Sequence, residues 1–421
     1  MLWRALARRF PVLAIRDFRL LLADRLLAPA SFAFSLVGVS FAVLDLTGST
    51  ADLSYVLAAQ IAPSLVFTLI SGVIADRVAP QKVIVAANVM MAVGEGTLGL
   101  LVLSGHARIW QMIVLETLTG VGLAIFYPAS QALLPKIVPD AMLQQANAFS
   151  RLAMNLAQMG GAAAAGVVVA AVGPGWALAA CGTGLLGTIP LLLAIRAVGH
   201  ERARGPGMVG ELKEGWSEFV SHTWLWAIVA QFCVIMMAWY GGFQVLGPAA
   251  AKEHLGGPAA WGAIAAAEAF GLIVGGVVSL RYTPRRPMLF VVCLGGAIAV
   301  SPLSLAMLWP LPALCLTAVF LGMANEMMMV QWSVTLARNI PPGKLARVSA
   351  YDALGSVMAM PLGALLAGPI AAVAGLSATQ YGAAALIVVA SALALLSRDV
   401  RTMRSPSGEP ELPSVPAAPA G

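Results

Sequence analysis

The sequence predicts an all-α membrane protein with twelve transmembrane helices in two pseudo-symmetric six-helix bundles. Three observations lead there. The chain of 421 residues is 60% hydrophobic and only 10% charged, whereas soluble domains carry about a quarter charged residues. Its apolar residues gather into runs of about 20, the length a helix needs to cross a ~30 Å hydrocarbon layer. Threaded alternately through a bilayer, these runs leave 21 of the 25 Lys and Arg on one side.

The runs, in order, are 20–44, 53–75, 83–103, 109–132, 146–172 and 175–196, then 223–249, 259–280, 287–308, 311–336, 347–373 and 378–397. Arg4, Arg8, Arg9, Arg16 and Arg19 precede the first run, Arg77 and Lys82 follow the second, and Arg281, Arg285 and Arg286 follow the eighth. Arg108 and Lys252 alone fall on the other side, while Arg25 and Arg151 lie within runs near the basic side. Basic loops stay in the cytoplasm, so both termini are expected there. The first run is too long for a cleaved signal's apolar region and is expected to remain as a span.

The expected organisation is therefore an N-terminal bundle at 1–196, a cytoplasmic linker at 197–222, a C-terminal bundle at 223–397 and a disordered cytoplasmic tail at 398–421. The linker carries Glu201, Arg202, Arg204, Glu211, Lys213, Glu214 and Glu218, and the stretch from Glu211 to Phe219 suits a short surface helix. The tail holds five prolines from Pro406 to Pro419 and has little to bury.

The two halves repeat. Gly72, Arg77, Pro80 and Lys82 lie over Gly276, Arg281, Pro284 and Arg286 at an offset of 204 residues. Leu134, Pro139, Leu143, Gly161 and Gly166 lie over Leu336, Pro341, Leu345, Gly363 and Gly368 at 202. Parallel repeats of this kind are a recurring transporter architecture.

Composition also excludes functions. The net charge of +6 is spread between spans rather than gathered in a patch, which argues against nucleic-acid binding. Cys181, Cys233, Cys293 and Cys315 each sit inside an apolar run without metal-ligand spacing and read as packing residues. There is no phosphate-binding loop and no catalytic constellation. The chain is thus expected to be no enzyme, to need no cofactor or obligatory protein partner, and to draw its energy from an ion or substrate gradient.

The loop Gly72-Val-Ile-Ala-Asp76-Arg77, closed by Lys82, resembles the signature loop of the major facilitator superfamily, although Ala79, Pro80 and Gln81 depart from its basic cluster. Arg16-Asp17-Phe18-Arg19 and the run Tyr127 to Pro135 resemble the subgroup of siderophore exporters, macrolide efflux pumps and lysophospholipid transporters. The resemblance implies a secondary transporter in a bacterial plasma (inner) membrane. It assigns an inter-half latch or gate to Gly72, Asp76, Arg77 and Lys82, with Arg151, Arg281 and Asp352 at the corresponding ends. Leu156-Ala157 replaces the Gly-Pro of the antiporter signature before Gly160-Gly161, and Glu116 replaces an Arg of the fourth-helix signature. The expectation of export therefore rests on the subgroup resemblance.

Six acids fall within spans: Asp24, Glu95, Glu116, Glu268, Glu326 and Asp352. A charge in mid-bilayer costs at least ~2.5 kcal/mol, so such groups face a partner or a watery cavity. The family's cavity-lining helices favour Asp24, Glu116 and Glu326, with Asn325 beside the last, as substrate or proton sites; a carboxyl satisfied by neighbouring helices is the alternative. Asp24 adjoins Arg25 and equally suits a boundary ion pair. Glu95 is expected to be structural, and Glu268 suits gating. Trp239, Tyr240 and Gln244 suit either a large amphipathic ligand or plain packing. The function expected is proton-coupled export of an amphipathic small molecule of the drug, macrolide or siderophore class. Lysophospholipid flipping, import and a non-transporting sensor are the alternatives.

Overall fold

Long helices account for almost all of the protein, whose computed structural model describes residues 10–75, 79–196 and 216–403. The N-terminal half comprises α1 (Arg16–Thr47), α2 (Thr50–Ala75), α3 (Pro80–Leu103), α4 (Ile109–Ile137), α5 (Leu143–Val172) and α6 (Pro174–Leu193). The C-terminal half begins with α7 (Thr223–His254), α8 (Pro258–Ser279) and α9 (Pro287–Ala306). It continues through α10 (Leu311–Asn339), α11 in two pieces (Pro342–Val357 and Met360–Ala374) and α12 (Leu376–Ala394). Eleven helices are long and apolar enough to cross a membrane among the described residues. Helix α2, 26 residues long, occupies the second of the twelve expected positions.

Several helices outrun the spans read from the sequence, because a helix does not stop where the hydrocarbon does. Helix α4 continues to Ile137 through Pro128 and Pro135, and α7 continues to His254. Helices α3, α6, α8 and α9 start on a proline, where the missing N–H costs nothing and the ring pre-sets the helical angle. The tail departs from expectation: Arg398–Thr402 forms a helical turn because Val400 finds a fully buried seat. Residues 404–421 lie outside the described residues, as does most of the linker. Positions 216–221 are helical, as expected for its end, and Trp216 and Phe219 stack beside Tyr351 of α11.

The repeat appears as matched contacts. A Cβ added to Gly166 of α5 would lie 2.8 Å from the Pro258 carbonyl oxygen of α8, and one added to Gly368 of α11 would collide with the Thr50 carbonyl oxygen of α2. Thus α5 rests on α8 and α11 on α2, the two pairs that join the halves. Gly161 and Gly363 repeat the pattern inside each half, against Ala30 of α1 and Met237 of α7. Small residues let backbones meet where lipid supplies no hydrophobic drive.

The halves close on each other at the end opposite the N-terminus, here the far end. Gly368 donates its N–H to Ser54 Oγ (2.6 Å), and Thr50 Oγ1 donates to the Gly368 carbonyl (3.3 Å). Lys252 of α7 reaches Asp45 (2.5 Å) and the Leu44 carbonyl (2.8 Å) at the end of α1. Beneath these lies an apolar plug including Val43, Leu57, Tyr240, Leu246 and Ala367. Toward the other end the halves part.

Candidate functional site

The parting encloses a cavity of about 530 Å³. Tyr127 of α4 faces Phe232 and Met236 of α7, Asn325, Met329 and Trp332 of α10, and Asp352 and Ser356 of α11 across it. Aromatic and thioether surfaces dominate, and the polar groups are few. Trp332 donates its indole N–H to Asp352 Oδ2 (2.7 Å) and Ser356 Oγ donates to Oδ1 (3.3 Å). One carboxyl is thereby held with its orientation set at the wall of an apolar chamber. Asp352, expected at an inter-half contact, makes these bonds inside its own half.

Two further cavities share lining residues with the first and so extend it. One, of about 100 Å³, joins at Tyr127 and reaches Phe32 of α1 and Gln158 of α5. The other, of about 520 Å³, joins at Met329 and lies between α5, α8 and α10. Helices α5 and α8 touch at Gly166 and Gly262 but stand apart along Ala148 to Asn155 and Leu272 to Leu280. Across this gap Arg151 Nη1 meets Glu326 Oε1 at 3.1 Å. A residue expected at the gate and one expected to bind substrate or proton are thus a single ion pair between halves. The Arg151 side chain is 68% exposed, so the pair is worth no more than about 1 kcal/mol and can break readily.

Asp24 and Arg25 are both buried, yet neither Asp24 oxygen has a hydrogen-bond partner among the described residues. Arg25 donates to the Ser130 carbonyl of α4 (2.9 Å) and to Met154 Sδ (3.6 Å), not to Asp24. Trp239 stacks on Phe243 with ring centroids 6.2 Å apart, and Tyr240 belongs to the far-end plug rather than the cavity wall. These two and half-buried Gln244 lie where α7 loosens, with Tyr240–Val245 forming a π turn; such turns often mark functional places in a helix.

Glu116 does not reach the cavity. It is fully buried within the N-terminal half, where Gln60 of α2 donates its amide to Oε2 (2.7 Å). Close approach of α2 and α4 at Gly120, which lies against the Gln60 carbonyl, makes that reach possible. Glu95 of α3 is equally buried and accepts from Ser35 Oγ of α1 (2.6 Å). Glu268 is half-buried on α8.

Of the signature loop, Asp76 and Arg77 lie outside the described residues, Gly72 lies in the last turns of α2, and Lys82 is exposed. Arg281 is exposed at the matching place in the other half. Gln81, a departure from the family pattern, donates its amide to the carbonyls of Leu192 and of Ile195 (3.0 Å) at the end of α6. Sequence reasoning also missed Trp332 and Phe232, which carry no signal apart from ordinary core tryptophan and phenylalanine.

Two bundles meeting around a chamber closed at one end are the architecture of a membrane transporter. The sequence profile of the Major Facilitator Superfamily matches residues 26–309 and 262–420, and the chain belongs to that family. Among its relatives is the multidrug efflux pump Tap of Mycobacterium tuberculosis (strain ATCC 25618 / H37Rv), 26% identical over 89% of this chain and 92% of that one. The enterobactin exporter EntS of Citrobacter koseri is also 26% identical, over 94% and 95% of the two chains. A bacterial homolog of the human lysosomal transporter Spinster, solved in an inward-facing and unoccupied conformation, superposes with a TM-score of 0.67 at 17% identity. It covers 93% of this chain and 99% of its own. The POT family transporter PepTSo superposes at 0.71 with 12% identity, covering 92% and 98%. The protein is a multi-pass membrane transporter and not an enzyme.

Proposed function

We propose that the protein exports an amphipathic small molecule by alternating access, driven by proton entry, across a bacterial plasma (inner) membrane with both termini in the cytoplasm. The observation that carries the reading is the chamber of about 530 Å³, apolar and aromatic, with Asn325 and the oriented carboxyl of Asp352 among its few polar groups. That volume and balance suit a drug-sized ligand with one polar or cationic end. Closure at the far end and parting at the basic end correspond to a state loaded from the cytoplasm. The names of the relatives, a multidrug efflux pump and an enterobactin exporter, support export.

The proposed cycle uses these contacts. Ligand enters past the Arg151–Glu326 pair and fills the chamber. The halves then rock about the α5–α8 and α2–α11 seams, closing the basic end and parting the Tyr240 plug. A proton returning down its gradient resets the equilibrium by binding one state better than the other. The test is accumulation of ethidium, a fluorescent amphipathic cation, in cells lacking their other efflux pumps. Expression should lower accumulation, and a protonophore or the Asp352→Asn variant should restore it. Accumulation unchanged by expression across cationic, neutral and catecholate probes would remove the reading.

One observation favours a second reading. The gap between α5 and α8 opens sideways beside Leu152, Leu272, Val277 and Leu280, with an ion pair in its midst. An acyl chain and a charged headgroup fit that layout, as a lysophospholipid flippase requires. Flux of a labelled lysophospholipid in proteoliposomes without a pH gradient decides for it.

A further inference from the structure

The structure assigns a proton-binding site to a place outside the chamber: the carboxyls of Glu95 and Glu116, which we infer together bind one exchangeable proton beneath the far-end plug. The inference deepens the proton-coupled reading above and rests on it for its role in transport.

Both side chains have no exposed surface, and they lie on adjacent helices α3 and α4 close enough for Glu116 to feel the charge of Glu95. Each carboxyl accepts a single hydrogen bond from a neutral donor, Ser35 for one and Gln60 for the other. The second oxygen of each, Glu95 Oε2 and Glu116 Oε1, is buried without a partner among the described residues. A further buried polar group lies beside them. The Thr119 hydroxyl, fully buried one turn along α4, is also unpartnered and lies against Gly94, where an added Cβ would be 2.5 Å away.

No cation balances the pair among the described residues. Among the described residues, the titratable groups facing it are Cys181 of α6 and Tyr240 of α7, both neutral acids, while α1 and α2 contribute only Ser35 and Gln60. Arg25, ten residues before Ser35 on α1, is ~15 Å along the helix axis and is engaged with Ser130. Two ionised carboxylates sealed together without a counter-charge are untenable, because burial and mutual repulsion both oppose the second charge. A proton removes that conflict and supplies a donor to an oxygen that lacks one.

The position explains how such a proton would be coupled. Tyr240, which faces Glu116, belongs to the plug that holds α7 and α11 against the N-terminal half. Parting the far end carries Tyr240 away and lets water reach the pair from the outer side. Closing it seals the proton in. The site is thus addressable from one side only, as a coupling site must be.

Infrared titration of purified protein in nanodiscs tests the assignment without any substrate, by reading the carbonyl band that a protonated acid shows and a carboxylate lacks. Relative to wild type, the double variant Glu95→Gln/Glu116→Gln should lose the absorbance of one acid. Each single variant should keep an acid whose titration moves by about tenfold or more in proton concentration, since its partner's charge is gone. Ser35→Ala, which keeps both carboxyls, should shift the band's frequency and so covers any folding failure of the others. A double variant with the wild-type spectrum, single variants that titrate like wild type, or a band abolished by sodium at constant pH would each overturn the inference. If the pair titrates as expected but a pH gradient drives no flux, the site stands and the proton-coupled reading falls.

Discussion

Replacing Gly368 by alanine should tip the protein out of the state seen here. At this position a Cβ would sit 2.5 Å from the Thr50 carbonyl carbon, where ordinary contact begins at 3.4 Å. Helices α11 and α2 must then part by about 1 Å, an overpacking that costs about 1–3 kcal/mol. Separation also weakens the two hydrogen bonds linking Gly368 to Ser54 and Thr50, each worth about 1 kcal/mol. The gain in helix propensity from glycine to alanine is the same in both conformations and drops out of their equilibrium. The net bias against far-end closure is about 3–5 kcal/mol, a population shift of at least a hundredfold. Spin labels on the far ends of α1 and α7, near Asp45 and Lys252, would report it as a longer inter-label distance. Gly160→Ala is the control, since nothing lies within 4 Å of a Cβ there. Unchanged distances in Gly368→Ala, or an equal change in Gly160→Ala, would refute the argument that this seam is the gate.

Three further outcomes follow from the same contacts. Arg151→Ala and Glu326→Gln should each shift the label distances by no more than about fivefold in population, because the exposed pair is worth at most about 1 kcal/mol; melting curves should stay unchanged. Asp352→Asn should reduce transport of a cationic probe by about tenfold, equivalent to 1.4 kcal/mol, while sparing a neutral one, as measured by competitive efflux of the two. In the linker, Lys344 donates to Glu218 at 2.8 Å and holds its carboxyl below the usual range, helped by His222. Docking of 216–221 on α11 is therefore strengthened above the ordinary carboxylate range and loses that support as pH falls through the lowered value. Hydrogen-exchange protection of 216–221, taken relative to the intrinsic exchange rate at each pH, should fall on acidification in wild type and lose that dependence in Glu218→Gln.

The fold was legible because the bilayer imposes a length and an apolar composition that any reading detects, and because the glycine repeat marks real seams. Gly166 and Gly368 line up in the sequence and do equivalent work at the α5–α8 and α2–α11 contacts. Helix ends were less legible, since α4 and α7 continue past the hydrocarbon with nothing in their composition to stop them. Pairings between helices were invisible. Nothing in the spacing says that Arg151 meets Glu326, or that Glu95, read as structural, shares its pocket with Glu116. A carboxyl's value depends on which side of its helix faces which neighbour, and a 3.6-residue period in an almost uniformly apolar segment leaves that undetermined. Asn325 was found beside its cavity because it is polar in a mid-span segment, while Trp332 and Phe232 are there for shape and carry no such mark.

The central claim is that a proton gradient drives this transporter outward from the cytoplasm. Ethidium uptake into inside-out vesicles under an imposed pH gradient, acid inside, measures it most directly. The account predicts uptake that collapses with the gradient in wild type and becomes indifferent to it in Glu95→Gln/Glu116→Gln. Uptake of equal size with and without the gradient in folded wild-type protein would contradict it.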